Sequence, residues 1–252
     1  MHQTPPIPPP LLEIAVFSYH GAQLAEQAGA DRIELCENPL EGGTTPSYGY
    51  LQLVSKTISI PVFPIIRPRG GDFLYSDEEW KIVLQDIQIC KDLGFSGIVT
   101  GCLTRAATIH ESRLRLAIET AYPMQVTFHR AFDRVQQPLV AIEQLIACGC
   151  TRLLTSGCKP TAPDGMELIR QLVQQAGDRI TIMPGSGVRS NNIEHLQQTT
   201  SAREYHSSAR KQAASEMQCI SPDFTDDTGI TLVDVQEIRR MKSILLKEIE
   251  NK

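Results

Sequence analysis

The chain has 252 residues, 41% of them hydrophobic and 21% charged, which is globular composition and excludes a disordered chain. A formal net charge of -5, with no basic patch beyond Arg239-Arg240 in a charged C-terminal pattern, argues against nucleic acid as the main partner. No apolar run is long enough to span a membrane, and seven cysteines, an odd number scattered through apolar patterns, point to reduced thiols in a cytoplasm rather than to a disulfide framework.

Residues 1–10 (MHQTPPIPPP) read as a flexible proline-rich tail with no secretory leader. From residue 11 the chain alternates short β-type runs with longer amphipathic ones. The strand candidates are Leu11–Val16, Arg32–Leu35, Val62–Ile66, Gly97–Thr100, Gln125–His129, Arg152–Thr155, Ile180–Met183 and Arg203–His206. Helix patterns such as HGAQLAEQAGA, SDEEWKIVLQDIQICKDLG and PLVAIEQLIACG lie between them. Ser76 followed by Asp77, Glu78 and Glu79 marks a helix start, and Gly94 and Gly149 mark helix ends. Eight βα units predict an α/β single domain, a (β/α)8 TIM-type barrel over residues 11–252, with a doubly wound open sheet as the alternative. Residues 207–230 show no period. Leu232, Val235, Ile238, Met241 and Leu245 then recur at helical spacing and predict a closing helix.

In such barrels the working residues stand at the C-terminal ends of the strands. Those places hold Glu34 and Cys36, the run PIIRPRGGDF with Arg67, Arg69 and Asp72, the run HRAFD with His129, Arg130 and Asp133, the run PGSGVR with Gly185, Ser186, Gly187 and Arg189, and finally His206 and Ser207. Strand alternation turns Glu13, Glu34, Thr127 and His129 toward the barrel axis, and puts Glu204 and His206 on one face. His129 and Asp133, four apart, suggest a histidine oriented by a carboxylate, with Glu34 as a second carboxylate; these three are the catalytic candidates. The arginines, the PGSGVR glycines, Asp72, Arg130, His206 and Ser207 form the candidate site for an anionic small molecule. Arg67 and Arg69, two apart, are both expected to point into the mouth. Cys36, Cys102 and Cys158 all follow even-numbered strands and, with His206, offer soft ligands for Cu(I) or Zn(II). A bland alternative to each site is a structural ion-pair network, a tight turn, or thiols packed as small hydrophobes.

The segments IELC, EGGTTPS, PIIRPRGGDFLYSD, LGFSGIVTG, VTFHRAFD, RLLTSG, GSGVR and HSSAR, in that order from about Leu11 to Arg210, closely resemble the CutC family. The resemblance implies a cytoplasmic TIM-type barrel, usually a homo-oligomer (dimer or tetramer). It implies a part in copper homeostasis with copper, as Cu(I), as a possible ligand, and it carries no settled enzymatic reaction. The partners expected are a small molecule or metal ion, not nucleic acid or membrane. Family members often carry cysteine in the first strand and after PRGGDF; here Ala15 and Leu74 stand there, while Cys36 keeps the pattern.

Overall fold

A computed structural model describes residues 9–218 and 229–250. The expected tail, apart from its last two residues, and the centre of the aperiodic stretch therefore lie outside the described residues. Eight parallel strands alternate with helices: β1 (Leu11–Val16), α1 (Tyr19–Gln27), β2 (Arg32–Leu35), α2 (Tyr48–Thr57), β3 (Val62–Pro64), α3 (Asp77–Asp92), β4 (Gly97–Thr100), α4 (Glu111–Ala121), β5 (Gln125–Phe128), α5 (Pro138–Cys148), β6 (Arg152–Thr155), α6 (Met166–Ala176), β7 (Thr181–Pro184), α7 (Ile193–Thr200) and β8 (Glu204–Ser207). Two exposed strands, β9 (Arg210–Ala213) and β10 (Ile230–Val233), pair antiparallel before the last helix, α8 (Val235–Glu250). No helix among the described residues is long and apolar enough to cross a membrane.

The strands form two four-stranded ladders, β8-β1-β2-β3 and β4-β5-β6-β7. A parallel bridge between Ile65 and Val99 joins β3 to β4, and β7 lies beside β8. This circular order is that of a (β/α)8 barrel and replaces the open-sheet alternative. Short parallel strands buried on both faces need a helix over each crossover. The outward residues, Leu12, Ile14, Val16, Ile33, Leu35, Ile98, Val126, Phe128, Leu153 and Ile182, meet those helices in one continuous core. Ser76 closes a capping box with Glu79 at the start of α3, as its sequence indicates.

The structure departs from the sequence-based expectation at strand ends and in the polar stretch. β3 stops at Pro64, and β5 stops at Phe128, because His129 turns to cap a 3-10 turn (Arg130–Arg134). Leu232 belongs to β10 rather than to the closing helix. Neither β9 nor β10 buries a full apolar face, so their period is invisible in the sequence. In α8, Ile238, Met241 and Leu245 are fully buried, and the helix packs on α1 and α7.

The barrel interior has an upper apolar patch of Cys36, Phe63, Ile65 and Val99, flanked by Phe17. Gly97 makes room for it: a Cβ there would lie 2.4 Å from the Phe63 ring. Gly97→Ala is expected to lower stability by about 1–3 kcal/mol through overpacking, read as a reduced urea midpoint with an unchanged m-value.

Candidate functional site

The floor of the site follows from register. Glu13 on β1 is the direct partner of Arg32 on β2 and of His206 on β8. All three side chains point inward, so the register alone brings them together. The Arg32 guanidinium donates to Glu13 through Nε and to Glu204 through Nη2 at 2.5 Å. Arg152 donates to Glu204 through Nε at 2.5 Å and to Thr127 Oγ1 at 3.3 Å. Both guanidinium groups also lie over the Phe63 ring, 5.0 and 5.4 Å from its centroid. Burial alone would push the Glu13 carboxyl up, but Arg32 and His206 outweigh it and hold it near 2. Alternation could have added Arg32 and Arg152 to the inward set, because each stands two residues before an inward position, Glu34 and Leu154 respectively.

Above this floor, His206 sits between two carboxylates, with Nδ1 2.8 Å from Glu13 and Nε2 3.6 Å from Glu34. Burial alone would lower its pKa; the bond to Glu13 and the charges of Glu34 and Glu13 raise it instead. Burial pushes Glu34 up to about 7, against the pull of His206. Burial, together with the Glu34 carboxylate beside it, pushes the Cys36 thiol well above its ordinary range.

These side chains open into a cavity of about 340 Å3 at the C-terminal mouth, also lined by Arg67, Phe73, His129, Arg130, Gly187, Val188, Arg189, Ser207 and Arg210. A second cavity of about 710 Å3, over β5 and β6, shares Gly42, Arg67, Phe73 and Arg130 with it and adds Arg134 and Lys159.

The expected residues are not all used as their spacing suggests. His129 and Asp133 do not meet. His129 Nδ1 accepts the Ala131 N–H at 3.3 Å, whereas Asp133 accepts from Thr155 Oγ1 at 2.5 Å, from the Ser156 N–H at 3.0 Å and from Arg130 Nε at 2.8 Å. The 3-10 turn rotates position 133 away from the histidine and toward the loop after β6. Arg69 does not enter the mouth with Arg67. The β3 ladder has already ended before position 67, so the two-residue alternation no longer applies. Arg69 pairs instead with Glu79 and with the exposed Asp72, and covers the Tyr75 ring at 5.3 Å. Arg67 is buried (4% exposed) and donates to the carbonyl oxygens of Glu41 at 2.5 Å, Gly43 at 2.9 Å and Gly71 at 2.9 Å. Gly185 clears space, since a Cβ there would meet Leu154 at 2.4 Å and His206 at 3.2 Å. The hydroxyls of Ser186 and Ser207 donate to Pro160 O and Val188 O. Arg210, which follows His206 by four and whose role no spacing rule announces, joins Arg189 at the rim.

The three candidate metal-binding thiols are dispersed. Cys36 lines the cavity, Cys102 lies in the outer core with Sγ toward the His110 carbonyl, and Cys158 sits in the loop after β6 with Sγ toward the Phe132 carbonyl. Burial pushes Cys102 up to about 12 and Cys158 up to about 11. Among the described residues, no three His, Cys, Asp or Glu side chains converge as a metal site.

What the mouth can do chemically is hold negative charge. Arg67, Arg189 and Arg210 have no carboxylate partner among the described residues, whereas Arg32, Arg69, Arg113, Arg115, Arg170 and Arg179 each do. The loop after β7 carries Ser186 and Gly187 at positive φ, 76° and 71°. No hydrogen bond among the described residues takes up the N–H of Gly187 or Val188. Backbone N–H groups at such a turn, beside arginines, suit an anion.

A sequence model described as the CutC family matches residues 10–211. The chain is 47% identical over 208 residues to a family protein CutC of Chromobacterium violaceum, covering 82% of this chain and 84% of that one. It is 42% identical over 241 residues to the copper homeostasis protein cutC homolog of Homo sapiens, covering 93% and 88%. The crystal structure of a copper homeostasis protein CutC from Streptococcus agalactiae superposes with a TM-score of 0.75 at 32% identity, over 79% of this chain and 98% of that one.

Glu13→Ala leaves Arg32 and His206 buried without their shared carboxylate, and is expected to cost about 3–5 kcal/mol of stability. Because folding lowers the Glu13 pKa from 4.5 to about 2, its contribution is present above pH 4.5 and is lost as pH falls toward 2. Denaturant melts of parent and variant should therefore differ most near neutrality and converge in acid.

Proposed function

This chain belongs to the CutC family, and from that premise we propose that it serves copper homeostasis as a protein that binds a phosphorylated or carboxylated small molecule in its mouth. One observation carries this reading: three arginines without carboxylate partners among the described residues, Arg67, Arg189 and Arg210, line a single cavity beside the uncommitted N–H groups of Gly187 and Val188. In a chain of net charge -5, cations left unpaired around a cavity invite an anionic ligand. The phosphate or carboxylate would sit against the β7 loop and Arg189, with Arg210 at the rim and Arg130 on the opposite wall.

The same reading places the protein in the cytoplasm, supported by six described cysteines that form no disulfide. It includes a homo-oligomer, for which the exposed Leu116 on α4, Tyr122 just past its end, and Leu139 and Val140 on the neighbouring α5 supply apolar surface.

Copper as cargo is the second reading, and Cys36 in the cavity wall is the observation that favours it. Soft thiolates hold Cu(I) best. Here the cavity offers one thiol, its proton retained by burial and by Glu34, and the neighbouring Ala15 adds no donor. The residues present therefore fit Cu(I) poorly.

A thermal-shift screen with inorganic phosphate and sugar phosphates tests the anion reading. A ligand at a hundred times its Kd adds about 2.7 kcal/mol, or roughly 5–10 °C in Tm for a domain of this size. Arg189→Ala should remove most of that shift, and a shift unaffected by Arg189→Ala would sink the assignment. A Cu(I) competition titration on reduced protein separates the second reading. Equal affinity in the parent and Cys36→Ser is expected, and a parent tighter by about tenfold, 1.4 kcal/mol, would assign copper to Cys36.

A further inference from the structure

Two buried side-chain nitrogens of cavity-wall residues have no hydrogen-bond partner among the described residues: His129 Nε2, and Arg67 Nε, which has the Tyr75 side chain nearby. Both residues are 4% exposed. A buried donor left unpaired is costly and in a native protein calls for an explanation. Both groups pack against Phe73: the Arg67 guanidinium covers its ring at 5.0 Å and the His129 ring lies 4.8 Å from it.

The imidazole is held on every other side. Phe73 tilts against it at 53° and Phe128 meets it edge-on, 5.9 Å away at 67°. Gly101 leaves it room, because a Cβ there would come within 2.7 Å of Nδ1. Nδ1 accepts the backbone N–H of Ala131, so in the neutral ring the proton must be on Nε2. Burial, reinforced by the charge of Arg67, lowers the His129 pKa to about 3, which keeps the ring neutral throughout the physiological range. A ring with its lone pair engaged at Nδ1 and a proton on Nε2 is a donor. It is not the carboxylate-oriented base that its spacing from Asp133 suggests.

We infer that His129 Nε2–H is a fixed donor for one oxygen of the ligand, a carbonyl or carboxylate oxygen on the carbon skeleton that bears the anionic group, while the Arg67 guanidinium on the same Phe73 ring adds its positive charge. This rests on the anion reading and narrows its ligand class. The ligand carries a phosphate for the β7 loop and Arg189, and a second oxygen acceptor for His129 at the end of β5. Fixed, desolvated donors of this kind also stabilise charge that develops on a carbonyl oxygen, so the site suits an oxo-acid or oxo-phosphate ester better than a plain alcohol phosphate.

Isothermal titration with 2-phosphoglycolate, which carries both groups, and with inorganic phosphate, which carries one, tests this. In the parent, 2-phosphoglycolate should bind more tightly than phosphate. His129→Phe should weaken 2-phosphoglycolate by about tenfold or more and leave phosphate within twofold. Equal weakening of both probes, or of neither, overturns the donor role while the anion reading stands. Failure of both probes to bind the parent overturns the two together. A measurement on unaltered protein stands beside these: 15N spectra of the histidine rings, with His129 assigned by its disappearance in His129→Gln. They should show an Nε2–H tautomer that does not titrate between pH 5 and 8, and an Nδ1–H tautomer or a protonated ring in that range overturns the proposal.

Discussion

Glu13 accepts from Arg32 on one neighbouring strand and bonds His206 on the other, and the placement of the site above follows from that arrangement. The three residues are Cα partners across the β8-β1-β2 ladder, so their contact is a consequence of register and not of side-chain search. Slipping either neighbour of β1 by one residue would turn its inward charges into the apolar layer beneath the helices, which opposes any other pairing. Many barrels fill this level with branched aliphatic side chains. Here Arg32, Arg152, Glu13 and Glu204 fill it, with each charge answered by another. The cost of desolvating them is offset only because the network is mutually satisfied, which is why removing one carboxylate is far more damaging than its own contacts suggest.

Positive charge is divided between two tasks. Arg32 and Arg152 at the barrel floor and Arg113, Arg115, Arg170 and Arg240 on the outer helices are neutralised by carboxylates. At the mouth, Arg67, Arg189 and Arg210 are held by backbone carbonyls, which fix a guanidinium in place without cancelling its charge. Arg67 is the clearest case: Glu41, Gly43 and Gly71 orient it, and its positive charge remains for the cavity. The same charge disfavours protonation of His129 and so keeps that ring a neutral donor. Around the cavity, Glu34 and Cys36 contribute protonated or weakly charged groups, so the local balance differs in sign from that of the chain as a whole.

This balance also bears on the copper association of the family. A soft-metal site needs thiolates brought together in a region that favours their charged form. The candidate thiols lie in separate parts of the fold, and burial keeps them protonated. An organic anion fits the observed chemistry more directly, and a role in copper homeostasis does not require the ion itself to occupy this cavity.

Much of the fold was legible because its physics is local and periodic. Alternating strands and amphipathic helices, a capped helix at Ser76 and a continuous outward apolar face all leave marks at fixed spacing. Alternation correctly turned Glu13, Glu34, Thr127 and His129 inward, and the strand-end rule led to Glu34, Arg67, His129, Arg189 and His206. It failed where the chain leaves the ladder. Two-residue spacing says nothing beyond Pro64, so Arg69 was expected inside the mouth but lies outside it, and four-residue spacing says nothing across a 3-10 turn, so Asp133 serves the β6 loop instead of His129. The exposed β9–β10 pair left no apolar period to read. Sequence by itself determined which residues could face the axis and how many units the barrel would hold. Only the tertiary structure decided which charges pair, which thiols stay apart and which donors remain unpaired, because those depend on register between strands distant in the chain and on the loops that fold over them.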